Sequence, residues 1–136
     1  MFVELHTHSA FSFLEGASLP EALAARAAEL EMPALALLDR DGVYGAARFH
    51  LAARKAGIQA HLGSEITTVE GSRLPLLVES QSGYRNLCRL VTEMKLRAQK
   101  GEGAATDEDL AAFSRGLVCL TGGAGGPLAL ALREGF

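Results

Sequence analysis

Residues 32–57 read MPALALLDRDGVYGAARFHLAARKAG. Ala34–Leu38 is wholly apolar, which is the pattern of a strand buried on both faces. It stops abruptly in Asp39-Arg40-Asp41-Gly42. A helical pattern then runs from about Tyr44 to Ala56, and Gly57 is placed to end it. The same alternation extends outward on both sides. Upstream, Phe2–Leu5 is a short apolar strand that empties into the polar His6-Thr7-His8-Ser9. A helix over 19–31 follows Ser18, a good N-cap, with Pro20 in the first turn and Glu21 three residues after the cap; Pro33 stops it. Downstream, Ile58–Leu62 and Glu65–Val69 predict a strand broken near Gly63, and Leu74–Val78 another. Ser82 is read as the cap of a helix over 84–99. KGEGAATDED (100–109) is a polar loop, and Thr106 with Asp109 opens a short helix to about Ser114. Leu117–Leu120 is a last apolar strand, TGGAGG (121–126) a turn, and Pro127 opens a final helix.

Strand and helix in alternation predict an α/β fold of about five mostly parallel strands with flanking helices. No repeat, low-complexity tract or linker divides the chain, so residues 1–136 are expected to form a single domain.

Composition narrows the function classes. Of the 136 residues 49% are hydrophobic and 21% charged, as in an ordinary globular protein, and the formal net charge is −3. An acidic balance argues against a module that grips nucleic acid by itself, because phosphate binding needs a basic face. Arg85, Arg89, Lys95, Arg97 and Lys100 cluster, and are read as a solvated helix face. Cys88 and Cys119 lie in apolar runs without a C-x-x-C spacing and are expected to be reduced, mostly buried thiols. Met1 is followed at once by the first strand, and no apolar run reaches the ~20 residues that span a bilayer. A cytoplasmic location with no membrane contact is expected.

The chemistry-bearing residues fall at strand ends: His6 and His8, then Asp39 and Arg40, then Glu65, then the Gly-rich loop. Parallel α/β folds bind ligands at the carboxyl ends of strands. His-x-His at such an end sets two imidazoles on one side of the chain, the start of a Zn²⁺ or Mn²⁺ site or a pair of hydrogen-bonded core histidines. Glu65, on an apolar strand, must be paired or coordinated, and a structural salt bridge would serve equally. His50 and His61 carry no such context. TGGAGG lacks the Lys-Ser/Thr of a P-loop and reads as a tight strand-to-helix turn.

Five stretches carry a resemblance: FVELHTHSAFSFLEGAS (2–18), MPALALLDRDGVYGAARFHLAARKAGI (32–58), HLGSEIT (61–67), SGYRNLCRLVT (82–92) and GLVCLTGGAGGPLALALREG (116–135). In this order they resemble the PHP (polymerase and histidinol phosphatase) domain of the bacterial DNA polymerase III α-subunit family. FSFLEGAS and CLTGG are more similar to its error-prone branch. The resemblance implies part of a seven-stranded (β/α) barrel with a trinuclear metal centre at the strand C-termini. The chemistry implied is phosphoester hydrolysis or a proofreading 3′–5′ exonuclease.

Carried over by position, His6 and His8 match the first ligand motif, Glu15 stands at an acidic or His ligand position, and Glu65 matches the bridging glutamate. Three positions depart. The family's Asp-His after the second strand is Asp39-Arg40, a His falls on Arg73, and a Cys or His falls on Gly123. A further Asp and His of the family would lie beyond Phe136. Guanidinium offers no lone pair and stays protonated, so it cannot ligate a metal. It can replace the positive charge of the ions, and Arg40 or Arg73 is expected within salt-bridge distance of Glu15, Asp39 or Glu65. The expected site is therefore vestigial, with no cofactor or, alternatively, a single Zn or Mn ion at His6, His8 and Glu65. The domain is expected to brace the remaining domains of a polymerase chain that synthesises DNA across lesions, to be inactive alone, and to meet DNA through that parent. A free-standing metal phosphoesterase is the alternative. An open sheet edge also predicts a possible homodimer.

Overall fold

A computed structural model describes residues 1–135 of the chain. Its elements in order are β1 (Glu4–Thr7), α1 (Pro20–Glu29), β2 (Ala34–Arg40), α2 (Ala46–Ala56), β3 (Gln59–Thr67), β4 (Arg73–Val78), α3 (Gln81–Leu96), α4 (Asp107–Phe113), β5 (Leu117–Cys119) and α5 (Pro127–Glu134). The strands form one sheet in the order β1-β2-β3-β4-β5. β1 and β2 are parallel, with Glu4 opposite Leu35 and Thr7 opposite Leu37. β4 and β5 are antiparallel, with Leu77 opposite Val118. β3 and β4 are joined by a tight hairpin closed by Thr68 N–H donating to the Ser72 carbonyl at 2.9 Å, and a connection this short cannot carry a parallel crossover. The sheet is thus mixed, with the five strands expected and antiparallel pairing after β3.

Contacts divide the chain into two compact units, Met1–Ser64 and Glu65 onward, with the boundary inside β3. In the first unit β2 is buried along its length except at Arg40, as its apolar run demands. The core gathers Ala24, Ala27, Leu35, Leu37, Phe49 and Ala53; the alanines leave room for α1 and α2 to lie close together. α1 is capped by Leu19 with no side-chain hydrogen bond, rather than by Ser18. Pro20 makes the difference, since its fixed φ starts the helix and it has no N–H to satisfy. α2 ends at Gly57 in the left-handed region, φ 75°, as the sequence predicts. β3 runs unbroken through Gly63, because pairing with neighbouring strands on both sides holds a glycine extended.

In the second unit α3 is capped by Ser80, whose Oγ accepts the Gly83 N–H at 3.1 Å. Ser82, the expected cap, instead shares a hydrogen bond with the Ser80 hydroxyl at 2.9 Å. Leu87, Leu90 and Met94 turn inward while Arg85, Arg89, Lys95 and Lys100 are exposed, the solvated face that was expected. Gly83 is required on the inner side, where a Cβ would collide with the Gly116 carbonyl. Cys88 is half-buried and Cys119 exposed, against the expectation of buried thiols, because β5 is a three-residue edge strand. Among the described residues no helix is long and apolar enough to cross a membrane.

The helix start expected at Thr106 and Asp109 is a capping box. Thr106 Oγ1 accepts the Asp109 N–H at 3.2 Å and Asp109 Oδ2 accepts the Thr106 N–H at 2.9 Å. Arg97 adds a two-pronged contact, Nη1 to Oδ1 at 3.1 Å and Nη2 to Oδ2 at 2.5 Å. The guanidinium, then the Thr106 amide, hold the Asp109 carboxyl well below the usual carboxylate range. A depressed carboxyl pKa contributes stability above the unfolded value, about 4, and loses it as pH falls through the folded value. Arg97→Ala should therefore lower the melting temperature at neutral pH, with the gap to the parent chain closing below about pH 4. Thermal melts across that range check this; a gap that stays constant would assign the loss to packing of the arginine stem.

Candidate metal centre

The first unit places His6, His8, Asp39 and Arg40 on β1 and β2 or directly after them. His6 and His8, separated by one residue, bring their rings together edge to face with centroids 5.4 Å apart. The strand reaches Thr7, so His6 is a strand residue and only His8 follows it. Likewise β2 continues through Asp39 and Arg40. Both corrections have one cause: backbone pairing carries the ladder past the last apolar side chain.

The loop after His8 is tied down by a carboxylate on the next strand. Asp39 is almost wholly buried. Its Oδ1 accepts the Ser9 N–H at 2.8 Å, the Ser9 hydroxyl at 2.8 Å and the Ser12 hydroxyl at 2.9 Å. Oδ2 accepts the Gly45 N–H at 3.2 Å. Asp39 was expected as a charge partner for arginine; its role is instead to anchor this loop and the start of α2. The Ser12 hydroxyl in turn accepts the Arg40 N–H at 3.0 Å. Gly16 must be glycine, because a Cβ would collide with the Ser9 carbonyl. Leu14 takes a left-handed φ of 66°, a conformation that costs a branched residue on the order of 1 kcal/mol, and so turns the chain toward Glu15.

Glu15 lies between the Arg40 guanidinium and the His8 imidazole. Its Oε1 accepts Arg40 Nη1 at 3.0 Å and its Oε2 is 3.7 Å from His8 Nδ1. Arg40 Nε is also 3.6 Å from Asp41 Oδ2. In the second unit Glu65 is buried and its Oε1 lies 3.5 Å from Arg73 Nη1. The Arg73 N–H donates to the Gly125 carbonyl at 2.9 Å, which seats the Gly-rich loop against β4. That loop is the tight turn expected, closed by Gly126 N–H to the Gly123 carbonyl at 2.9 Å. A Cβ on Gly123 would meet nothing within 4 Å. Arg40 or Arg73 was expected to meet one of the carboxylates; each does, Arg40 at Glu15 and Arg73 at Glu65.

His6 and His8 of the first unit and Glu65 of the second are the residues whose donor atoms suit a metal ion. His50 is exposed on α2 and His61 lies within β3, and neither belongs to this group. Sequence reasoning missed Ser9 and Ser12. The available signal was a carboxylate, Asp39, at the end of a wholly apolar strand, which has to find donors somewhere.

Residues 4–136 match the family described as PHP domain. The chain belongs to the PHP domain family. This PHP chain is 41% identical over 153 aligned residues to an error-prone DNA polymerase of Anaeromyxobacter sp. (strain K), covering 99% of the chain and 13% of the relative. It is 46% identical to that of Dechloromonas aromatica (strain RCB), over 83% of the chain and 11% of the relative. To that of Symbiobacterium thermophilum it is 52% identical over 70% of the chain and 9% of the relative. The PHP chain therefore corresponds to a fragment, about an eighth of the length of the first of these polymerases. Among solved structures, an amidohydrolase from Chromobacterium violaceum, described with bound sulfate and no metal, superposes with TM-score 0.57 at 27% identity, over 68% of this chain and 32% of that one. A protein from Bifidobacterium adolescentis, described as a metal-dependent phosphoesterase, gives TM-score 0.54 at 24% identity, over 70% and 34%. The α/β architecture is that of a partial PHP-type barrel.

Proposed function

We propose that this chain is the PHP portion of an error-prone bacterial DNA polymerase, with a degenerate metal centre and a structural role. On this reading residues 1–136 are one domain that braces the rest of the polymerase chain in the cytoplasm. DNA synthesis across lesions, and contact with DNA, belong to the parent protein.

The observation that carries the vestigial reading is the Arg40–Glu15 pair at 3.0 Å. A guanidinium has five donors and no lone pair, so it satisfies a carboxylate that would otherwise face a metal, and it cannot itself coordinate one. Arg73 on Glu65 supports the same reading at a second ligand position, and Gly123 supplies no ligand atom at a third.

A single ion is the finer alternative. Two imidazoles and one carboxylate suit Zn²⁺ or Mn²⁺, and His6, His8 and Glu65 would hold it. Such an ion supplies Lewis-acid polarisation of a phosphoryl oxygen. A free-standing metal phosphoesterase or 3′–5′ exonuclease is the rival reading, and it needs more ligands than these three. The proposal extends to self-association of the isolated chain, supported by Leu128 and Leu132 of α5 and Val118 of β5, all exposed.

Elemental analysis of the purified chain tests the proposal. The expected result is at most one divalent ion per chain, with no release of nucleotides from a DNA 3′ end. Two or three stoichiometric ions, or nuclease activity that a chelator abolishes, would overturn the structural role.

A further inference from the structure

α1 and α2 pack side by side through their alanines, and their outer faces leave an open groove of about 560 Å³. Glu21 and Ala25 of α1 face Arg48, Leu51, Ala52 and Lys55 of α2 across it. The α2 residues fall at i, i+3, i+4 and i+7, so they form one continuous stripe along two turns. Leu51 is 65% exposed. Small alanines on the floor with one large aliphatic on the wall make a surface that accepts the aliphatic side chains of a third helix.

The charges along the rim say which helix. At one end Arg48 is already neutralised: Nε and Nη2 reach Glu21 Oε1 and Oε2 at 2.5 and 3.0 Å, and the guanidinium lies over the Phe11 ring, 5.5 Å from its centroid. At the other end Lys55 is exposed and makes no ion pair among the described residues, with Arg54 beside it. That end of the groove therefore carries the Lys55 ammonium with no carboxylate partner among the described residues, on a chain whose net charge is −3. An incoming basic helix would leave that end repelled, whereas an acidic one completes it.

We propose that the α1–α2 groove docks an acidic amphipathic helix of a protein partner. Two aliphatic side chains one turn apart fill the space over Ala25 and Ala52, and a carboxylate one turn further on meets Lys55. The site is separate from the histidine and carboxylate residues of the candidate metal centre and does not depend on their state.

The test uses this chain with isotopically labelled alanine and leucine methyls. The probe is a capped synthetic helix bearing two leucines one turn apart and a glutamate beyond them. Its twin has lysine in place of the glutamate. The expected result is a saturable shift of the Ala25, Ala52 and Leu51 methyls by the acidic peptide, with the twin weaker by about two- to fivefold, the size of an exposed ion pair. Lys55→Glu should reverse that preference, and added salt should erase it. Since Lys55 and Leu51 are exposed, Lys55→Glu and Leu51→Glu are expected to leave the fold intact, and Leu51→Glu should abolish both shifts. Equal binding of the two peptides, or shifts at other methyls only, would overturn the proposal. So would shifts of these methyls with protein concentration alone, which would make a second copy of the chain the occupant.

Discussion

Replacing Arg40 and Arg73 by histidine and Gly123 by histidine or cysteine together should convert the purified chain from binding at most one divalent ion to binding more than one. The retained zinc or manganese should rise at least about tenfold after dialysis against micromolar metal, as each added ligand tightens a transition-metal site steeply. Each replacement exchanges a group without a free lone pair for one that has it. Space is available at the third position, where a Cβ on Gly123 meets no atom within 4 Å. At the first two, removing the guanidinium also frees Glu15 and Glu65 from their 3.0 and 3.5 Å contacts. Without arginine or metal, Glu15 and Glu65 each lose a cationic contact, so the metal-free variant should be less stable than the parent and the metal-loaded one at least as stable. Elemental analysis with thermal melts in chelator and in metal reads both effects. A folded triple variant that retains no extra metal would mean that the arginines are not what limits metal binding.

The second large effect belongs to Asp39. Asp39→Ala removes the acceptor for two N–H groups and two hydroxyls at once, all within 3.2 Å. Buried donors left unsatisfied cost about 1–3 kcal/mol each, and hydroxyls can turn to other acceptors, so a loss of about 3–5 kcal/mol is expected. That is a large part of the ~5–15 kcal/mol that holds a domain of this kind together. Asp39→Asn keeps the volume and one acceptor but turns an NH₂ toward existing donors, and should lie between. Urea titration gives the magnitudes. Release of the loop should also show as faster chymotryptic cleavage at Phe13 and Leu14, which are 81% and 106% exposed at its tip. An Asp39→Ala chain within about 0.5 kcal/mol of the parent would mean that the serines hold the loop by other means.

The same residue marks where reading the sequence stops. The chain itself determined the order of strands and helices, the end of α2 at Gly57, the helix start at Thr106 and Asp109, and the collection of His6, His8, Arg40 and Glu65 at or near strand ends. These are local properties: an apolar run, a positive φ, a hydroxyl three residues from an amide. They are fixed within a few residues of backbone. The identity of Arg40 and Arg73 was also enough to rule them out as ligands, because a guanidinium lacks a lone pair wherever it sits.

Only the tertiary structure decided which carboxylates the arginines meet, that Asp39 is taken by Ser9 and Ser12, that β3 runs unbroken through Gly63, and that β5 lies antiparallel to β4. Glu15 and Arg40 are 25 positions apart, and Ser12 and Asp39 are 27 apart. Nothing in either short segment specifies its partner. Strand sense and helix caps were decided the same way, by geometry between segments: a five-residue hairpin forces one direction, and Pro20 displaces a serine that would otherwise have served. Local sequence sets what each piece can be. Which polar groups lose water together, and must therefore satisfy one another, is settled only when the pieces pack.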